Sequence, residues 1–192
     1  MSLKDILLRI DEINSADPNQ EQAEDGKPFP KEVLYSQRMT ETLYEFISNP
    51  SEALQIAARG QHIQRWAIPR SDYPMDKKGY MKWRTVLKTY HAELVGEIME
   101  EGGSDSELID KVKTLITKRK LKTDDESKQL EDVICLVFLK FYFAEFTAKH
   151  EEDKVVYIVR KTWAKMTEKG HQAALDLPFE ETELLLVKKA IS

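Results

Sequence analysis

VICLVFLKFYF, residues 133–143, is apolar nearly all round and is broken only by Lys140. Such a run has no polar face to offer solvent, so it predicts a helix at the centre of a core. Just upstream, Thr123-x-x-Glu126 is a capping box that starts this helix near Asp125, and the pattern carries it to about Ala148. Further back, Gly102-Gly103 ends a long helix from about Tyr80 to Glu101, because glycine takes the left-handed C-cap without cost. A second box, Ser104-x-x-Glu107, restarts the chain into a helix from about Asp105 to Thr117.

The flanks read the same way. Residues 3–13 place Leu3, Ile6, Leu7 and Ile10 on one helical side, and the polar, proline-punctuated stretch 14–30 is a loop. Helices follow from about Lys31 to Ile47 and, after Ser48-Asn49-Pro50-Ser51, from about Glu52 to Trp66. Pro69 and Pro74 then impose an extended loop, WAIPRSDYPMDKKG. Beyond residue 148, amphipathic helices at roughly 153–166 and 180–190, with a short one near 172–175, would cover the core. No repeat and no alternating strand pattern is present. The expected architecture is all-α: one domain over residues 1–192, a single compact bundle of about seven to nine helices.

With 192 residues, 41% of them apolar, the chain can bury one proper core. The lone cysteine, Cys135, excludes an internal disulfide framework and a multi-cysteine zinc site, and its apolar setting reads as a buried thiol. No segment has the apolar length of a membrane span and the N-terminus has no signal-peptide core, so a soluble, cytosolic protein is expected, with nuclear residence left open. Charge is unevenly spread. Residues 59–90 hold eight basic side chains (Arg59, Arg65, Arg70, Lys77, Lys78, Lys82, Arg84, Lys88) against Asp72 and Asp76, a balance of +6, which leaves −11 for the rest of a chain at −5. The middle of the chain is a candidate anion site.

Three residues stand where an apolar side chain would be ordinary. Asp132 shares a helix side with Cys135, Leu136, Leu139 and Phe143, so it is expected to enter the core and to need a cation, a metal or several hydrogen-bond donors; an exposed first-turn acid is the alternative. His91 lies on the stripe Tyr80, Arg84, Leu87, His91, Leu94, Ile98, and His62 sits near the end of its helix beside Arg59, Arg65 and Trp66. Each histidine reads either as an internally satisfied core group or as part of a two-histidine, one-carboxylate metal site with Asp132. Arg65, Arg70, Arg84 and Lys88, interleaved with Trp66, Tyr73, Tyr80 and Trp83, offer forks for phosphate and aromatic faces for a base or sugar; the alternative is surface charge laid over a tryptophan-containing core.

The order of these elements resembles a known superfamily. ALQIAARGQHIQRW (53–66) resembles the helix of HD phosphohydrolases that ends in a His-Asp pair, YHAELVGEIMEE (90–101) their His-Ala-Glu helix, and QLEDVICLVFL (129–139) their closing helix with its aspartate. The likeness spans residues 31–148 as an HD-like core, with 149–192 as covering helices. It implies His62, His91 and Asp132 as ligands of a divalent metal ion of unspecified identity. Ile63 stands where the superfamily has the aspartate of its pair, and Tyr35-Ser36-Gln37-Arg38 where it usually has its first histidine. LYSQRM, IAARGQHIQRWAIPRSDYP, GYMKWRTVLKTYHAE, LEDVICLVFL and KTWAKM also resemble, over nearly the whole chain, a family known as a domain of unknown function, number 4202.

The expected function is therefore a metal-dependent phosphohydrolase acting on a small phosphorylated substrate such as a nucleotide. Arg65, Arg84 and Lys88 would stabilise the reacting phosphate, and Trp66, Arg70 and Trp83 would join them in binding substrate. The alternative is a non-catalytic module that binds a nucleotide or RNA through the same segment.

Overall fold

The computed structural model describes residues 1–23 and 25–192; Glu24, inside the expected loop, lies outside the described residues. The chain forms two compact units, Met1–Lys120 and Leu121–Ser192. Among the described residues it has ten α-helices, one more than the upper end of the expected range. None of them is long and apolar enough to cross a membrane.

Unit 1 contains α1 (Leu3–Asn14), α2 (Lys31–Phe46), α3 (Glu52–Arg59), α4 (Lys77–Glu101) and α5 (Ser106–Thr117). Ser2 opens α1 with a capping box closed by Asp5, while Ser51 and Asp76 cap α3 and α4 with their side-chain oxygens. The cap of α5 is Asp105 rather than Ser104, because the aspartate carboxylate reaches the Glu107 amide. The core is built from Ile6 and Ile10 of α1, Met39 and Leu43 of α2, Leu54 and Ile56 of α3, Val95 and Met99 of α4, and Leu115 and Ile116 of α5.

Two stretches depart from the sequence reading. The expected loop at 14–30 carries a short antiparallel hairpin, β1 (Gln20–Gln22) and β2 (Pro28–Pro30), with Glu21 opposite Phe29. Strands of three residues are too short to leave an alternating signal. The helix expected to reach Trp66 ends at Arg59: the chain turns through Gly60, Gln64 takes a left-handed conformation at φ 49°, and single 3₁₀ turns follow at Arg65–Ala67 and Arg70–Asp72.

Unit 2 contains α6 (Asp125–Val137), α7 (Phe143–Lys149), α8 (Glu152–Trp163), α9 (Glu168–Leu175) and α10 (Glu181–Ile191). Asp124, one residue later than the expected box, caps α6 through the Ser127 amide. The apolar run that predicts a core helix does supply core side chains: Leu130, Val133, Leu136, Val137, Leu139 and Phe143 are buried. It is not one unbroken α-helix, since a π-helical turn at Phe138–Tyr142 separates α6 from α7. That wider turn lets Phe138 meet Phe143, five residues on, edge to face at 6.0 Å between ring centroids.

Candidate functional site

The site begins with what holds the 60–68 turn. A side chain at Gly60 would overlap Val95, so the bare glycine lets the chain leave α3 hard against α4. From α4, His91 bonds through Nδ1 to the Ile63 carbonyl at 2.7 Å, and Trp83 donates Nε1–H to the Ile68 carbonyl at 2.9 Å. From α1, the buried Asn14 accepts the Gln64 amide at 2.9 Å, while Tyr90 bonds the Gln64 side chain. The turn after α1 also fixes α2, because Asp17 accepts the Glu32 amide at 3.0 Å.

These ties bring Glu32, Tyr35, His62, Arg65 and His91 together. Tyr35 stacks on the His62 ring at 3.9 Å and 13°, and the His62 and His91 rings lie 6.0 Å apart. Arg65 Nη1 lies 2.8 Å from His62 Nε2. A guanidinium only donates, so Nε2 is its acceptor; the same Nη1 lies 3.4 Å from Nδ1, which also faces Glu32 Oε2 at 3.3 Å. His91 donates its Nδ1 proton to a carbonyl, leaving a lone pair on Nε2. Among the described residues that nitrogen and Glu32 Oε2 are both buried without a hydrogen-bond partner.

Burial dominates the electrostatics. It raises the Glu32 carboxyl from 4.5 to about 7 against the opposing pull of Arg65. It lowers His91 to about 3, helped by neighbouring His62, and holds His62 well below 6.5, helped by Arg65 and Arg84. Both imidazoles are therefore neutral near pH 7, and Glu32 shares its proton with solvent.

Around this cluster the expected basic residues take different parts. The Arg65 guanidinium lies 4.9 Å over Trp83, and that of Arg84 lies 5.8 Å over Tyr80. Arg70 spends its donors on the carbonyls of Tyr73 and Pro74, clasping the loop before α4. Trp66 is half-buried in the first 3₁₀ turn, and Lys88 is half-buried one helical turn after Arg84. Glu32 has no place in the sequence reading of the site. Its only signal there is an acid two residues after a proline, in a helix's first turn, which is ordinary.

Asp132 belongs to unit 2 and is 1% exposed. Its partners are hydrogen-bond donors: Thr167 gives its amide to Oδ1 at 2.8 Å and its hydroxyl to Oδ2 at 2.6 Å. Thr167 in turn caps α9, and a side chain at Gly170 would overlap Asp132 Oδ1. The expected metal set does not fit these residues: both oxygens of Asp132 are taken by Thr167, and the nitrogens of His62 face Arg65 and Glu32. Among the described residues no three or more His, Cys, Asp or Glu side chains are gathered to hold a metal ion.

No curated protein and no solved structure matches the chain. A family model matches residues 4–187, and on that match the chain belongs to the family described as Domain of unknown function (DUF4202).

Proposed function

We propose that unit 1 binds a phosphorylated small molecule, a nucleotide foremost, with its phosphate on Arg65 and Arg84 and its organic part against the exposed Tyr80, while Trp83, buried and bonded to the Ile68 carbonyl, supports the site from within. One observation carries the reading. Arg38 and Arg59 of the same unit are each paired with a carboxylate, Glu21 and Asp11, but Arg65 and Arg84, both half-buried, have no carboxylate partner among the described residues. Half-buried guanidinium groups that make no salt bridge suit an anion brought by a ligand. An HD-like scaffold remains part of this proposal, supported by the order of the sequence motifs, whereas its metal set is not supported by the residues at hand.

Calorimetric titration with inorganic phosphate and with nucleoside mono-, di- and triphosphates tests the reading. Binding should weaken as salt rises and should persist in a chelator, since fixed guanidinium groups supply the charge. Arg84→Ala removes a side chain that makes no hydrogen bond among the described residues, and it should weaken binding roughly 10- to 100-fold. Equal affinity in parent and variant overturns the reading. Tighter binding of single-stranded RNA than of any nucleotide replaces the small ligand with RNA.

A further inference from the structure

We propose that Glu32 is the general base of a hydrolytic site, taking a proton from the water that attacks a phosphorus held by Arg65 and Arg84. This rests on the phosphate-binding reading above and adds the reaction to it.

Glu32 is 5% exposed, and its backbone is fixed at the start of α2 by the Asp17 carboxylate. Among the described residues its Oε2 has no hydrogen-bond partner, although His62 Nδ1 stands 3.3 Å away, and Arg65, the nearby cation, bonds His62 instead. His91 Nε2 is the second buried acceptor of the cluster without a donor. Two buried acceptors without a hydrogen-bond partner describe a place for an O–H group, because a buried acceptor left bare is costly. A water that gives its O–H groups to these acceptors keeps its oxygen lone pairs for attack. Arg65 Nη1 lies 2.8 Å from His62 Nε2 and 3.4 Å from Nδ1, so one imidazole stands beside both the proton acceptor and the phosphate-binding guanidinium.

In the reaction the water oxygen forms a bond to phosphorus and its proton passes to Glu32 Oε2. The phosphorus–oxygen bond to the leaving group breaks, its electron pair stays on the leaving oxygen, and the proton on Glu32 returns there or to solvent. Nothing is oxidised or reduced. His62 and His91 are positioning residues: His62 presents its Nδ1 side to Glu32, and His91 anchors the turn through Ile63. The upward displacement of the Glu32 ionisation to about 7 agrees with this role, because a base is most effective when its pKa lies near the working pH.

The test is release of inorganic phosphate from the nucleotides that bind, assayed in chelator and with magnesium or manganese, in oxygen-18 water. The parent should turn over, with the heavy oxygen found in the inorganic phosphate. Glu32→Gln keeps the shape of the residue and should hold its dissociation constant within about threefold while losing on the order of 100-fold or more in rate. Glu32→Asp should fall between them, which separates lost chemistry from a misfolded variant. The parent rate should rise with pH as Glu32 ionises, and that limb should vanish in Glu32→Gln. Binding without turnover under every condition, or an undiminished rate in Glu32→Gln, overturns the general base and leaves phosphate binding standing. Absence of binding by the parent overturns both.

Discussion

Glu32 and His91 sit in one cluster with their ionisations displaced in opposite directions, and this has a measurable effect on stability. Glu32 moves from 4.5 to about 7 on folding, so the folded chain keeps a proton that the unfolded chain releases. Its contribution is full below pH 4.5 and is lost as pH rises towards 7. His91 moves from 6.5 down to about 3, and His62 also moves down, so their contributions grow as pH rises towards 6.5. Between pH 4.5 and 6.5 one residue falls and two rise, giving a net gain. Glu32→Gln deletes the falling part, and its unfolding free energy should climb more steeply with pH, by up to about 1.4 kcal/mol per unit. Urea unfolding followed at several pH values checks this; parallel slopes in parent and variant refute it. The two histidines were legible in the sequence because each interrupts an apolar face. Glu32 was not, because the second residue of a helix is where an acid is expected for the dipole alone.

At the level of elements, most helices were legible because their caps and glycine stops are local chemistry: Ser2, Ser51, Asp76 and Gly102 act within a few residues of themselves. The end of α3 was not. Gln61–Trp66 keeps a helical apolar spacing, so periodicity runs straight through it. What breaks the helix is a set of distant bonds, from Asn14 of α1 and from Trp83 and His91 of α4. The π turn in unit 2 was hidden for a similar reason, since a run that is apolar all round has no phase to lose. The 60–68 turn therefore owes its shape to α4, and Gly60 is the contact that lets it lie there. Gly60→Ala puts a methyl group into Val95 and should destabilise unit 1 by about 1–3 kcal/mol. It should also displace His62 and weaken phosphate binding together with the melting temperature. Gly26→Ala, with no atom near its added carbon but a left-handed backbone, should lower stability slightly and leave ligand affinity alone.

At the scale of the whole chain, the anion site and the buried aspartate belong to different units, and this separates two accounts of the protein. The +6 balance of residues 59–90 falls entirely in unit 1, as do His62, Arg65, Arg84 and His91. Asp132 lies in unit 2, where one side chain receives two hydrogen bonds from Thr167 and leaves no room for a carbon on Gly170. If its work is to tie α6 to α9, then Asp132→Asn keeps one acceptor, loses the charge on two short bonds, and should destabilise unit 2 by about 1–3 kcal/mol. Nucleotide affinity, carried by Arg65 and Arg84, should stay within about twofold of the parent while Arg84→Ala loses it. If Asp132 instead takes part in ligand binding, the same substitution should weaken nucleotide affinity, read by calorimetric titration, while the melting temperature holds. A stability loss with affinity intact assigns Asp132 to the fold of unit 2. A loss of affinity from a variant that still melts near the parent assigns it to ligand binding.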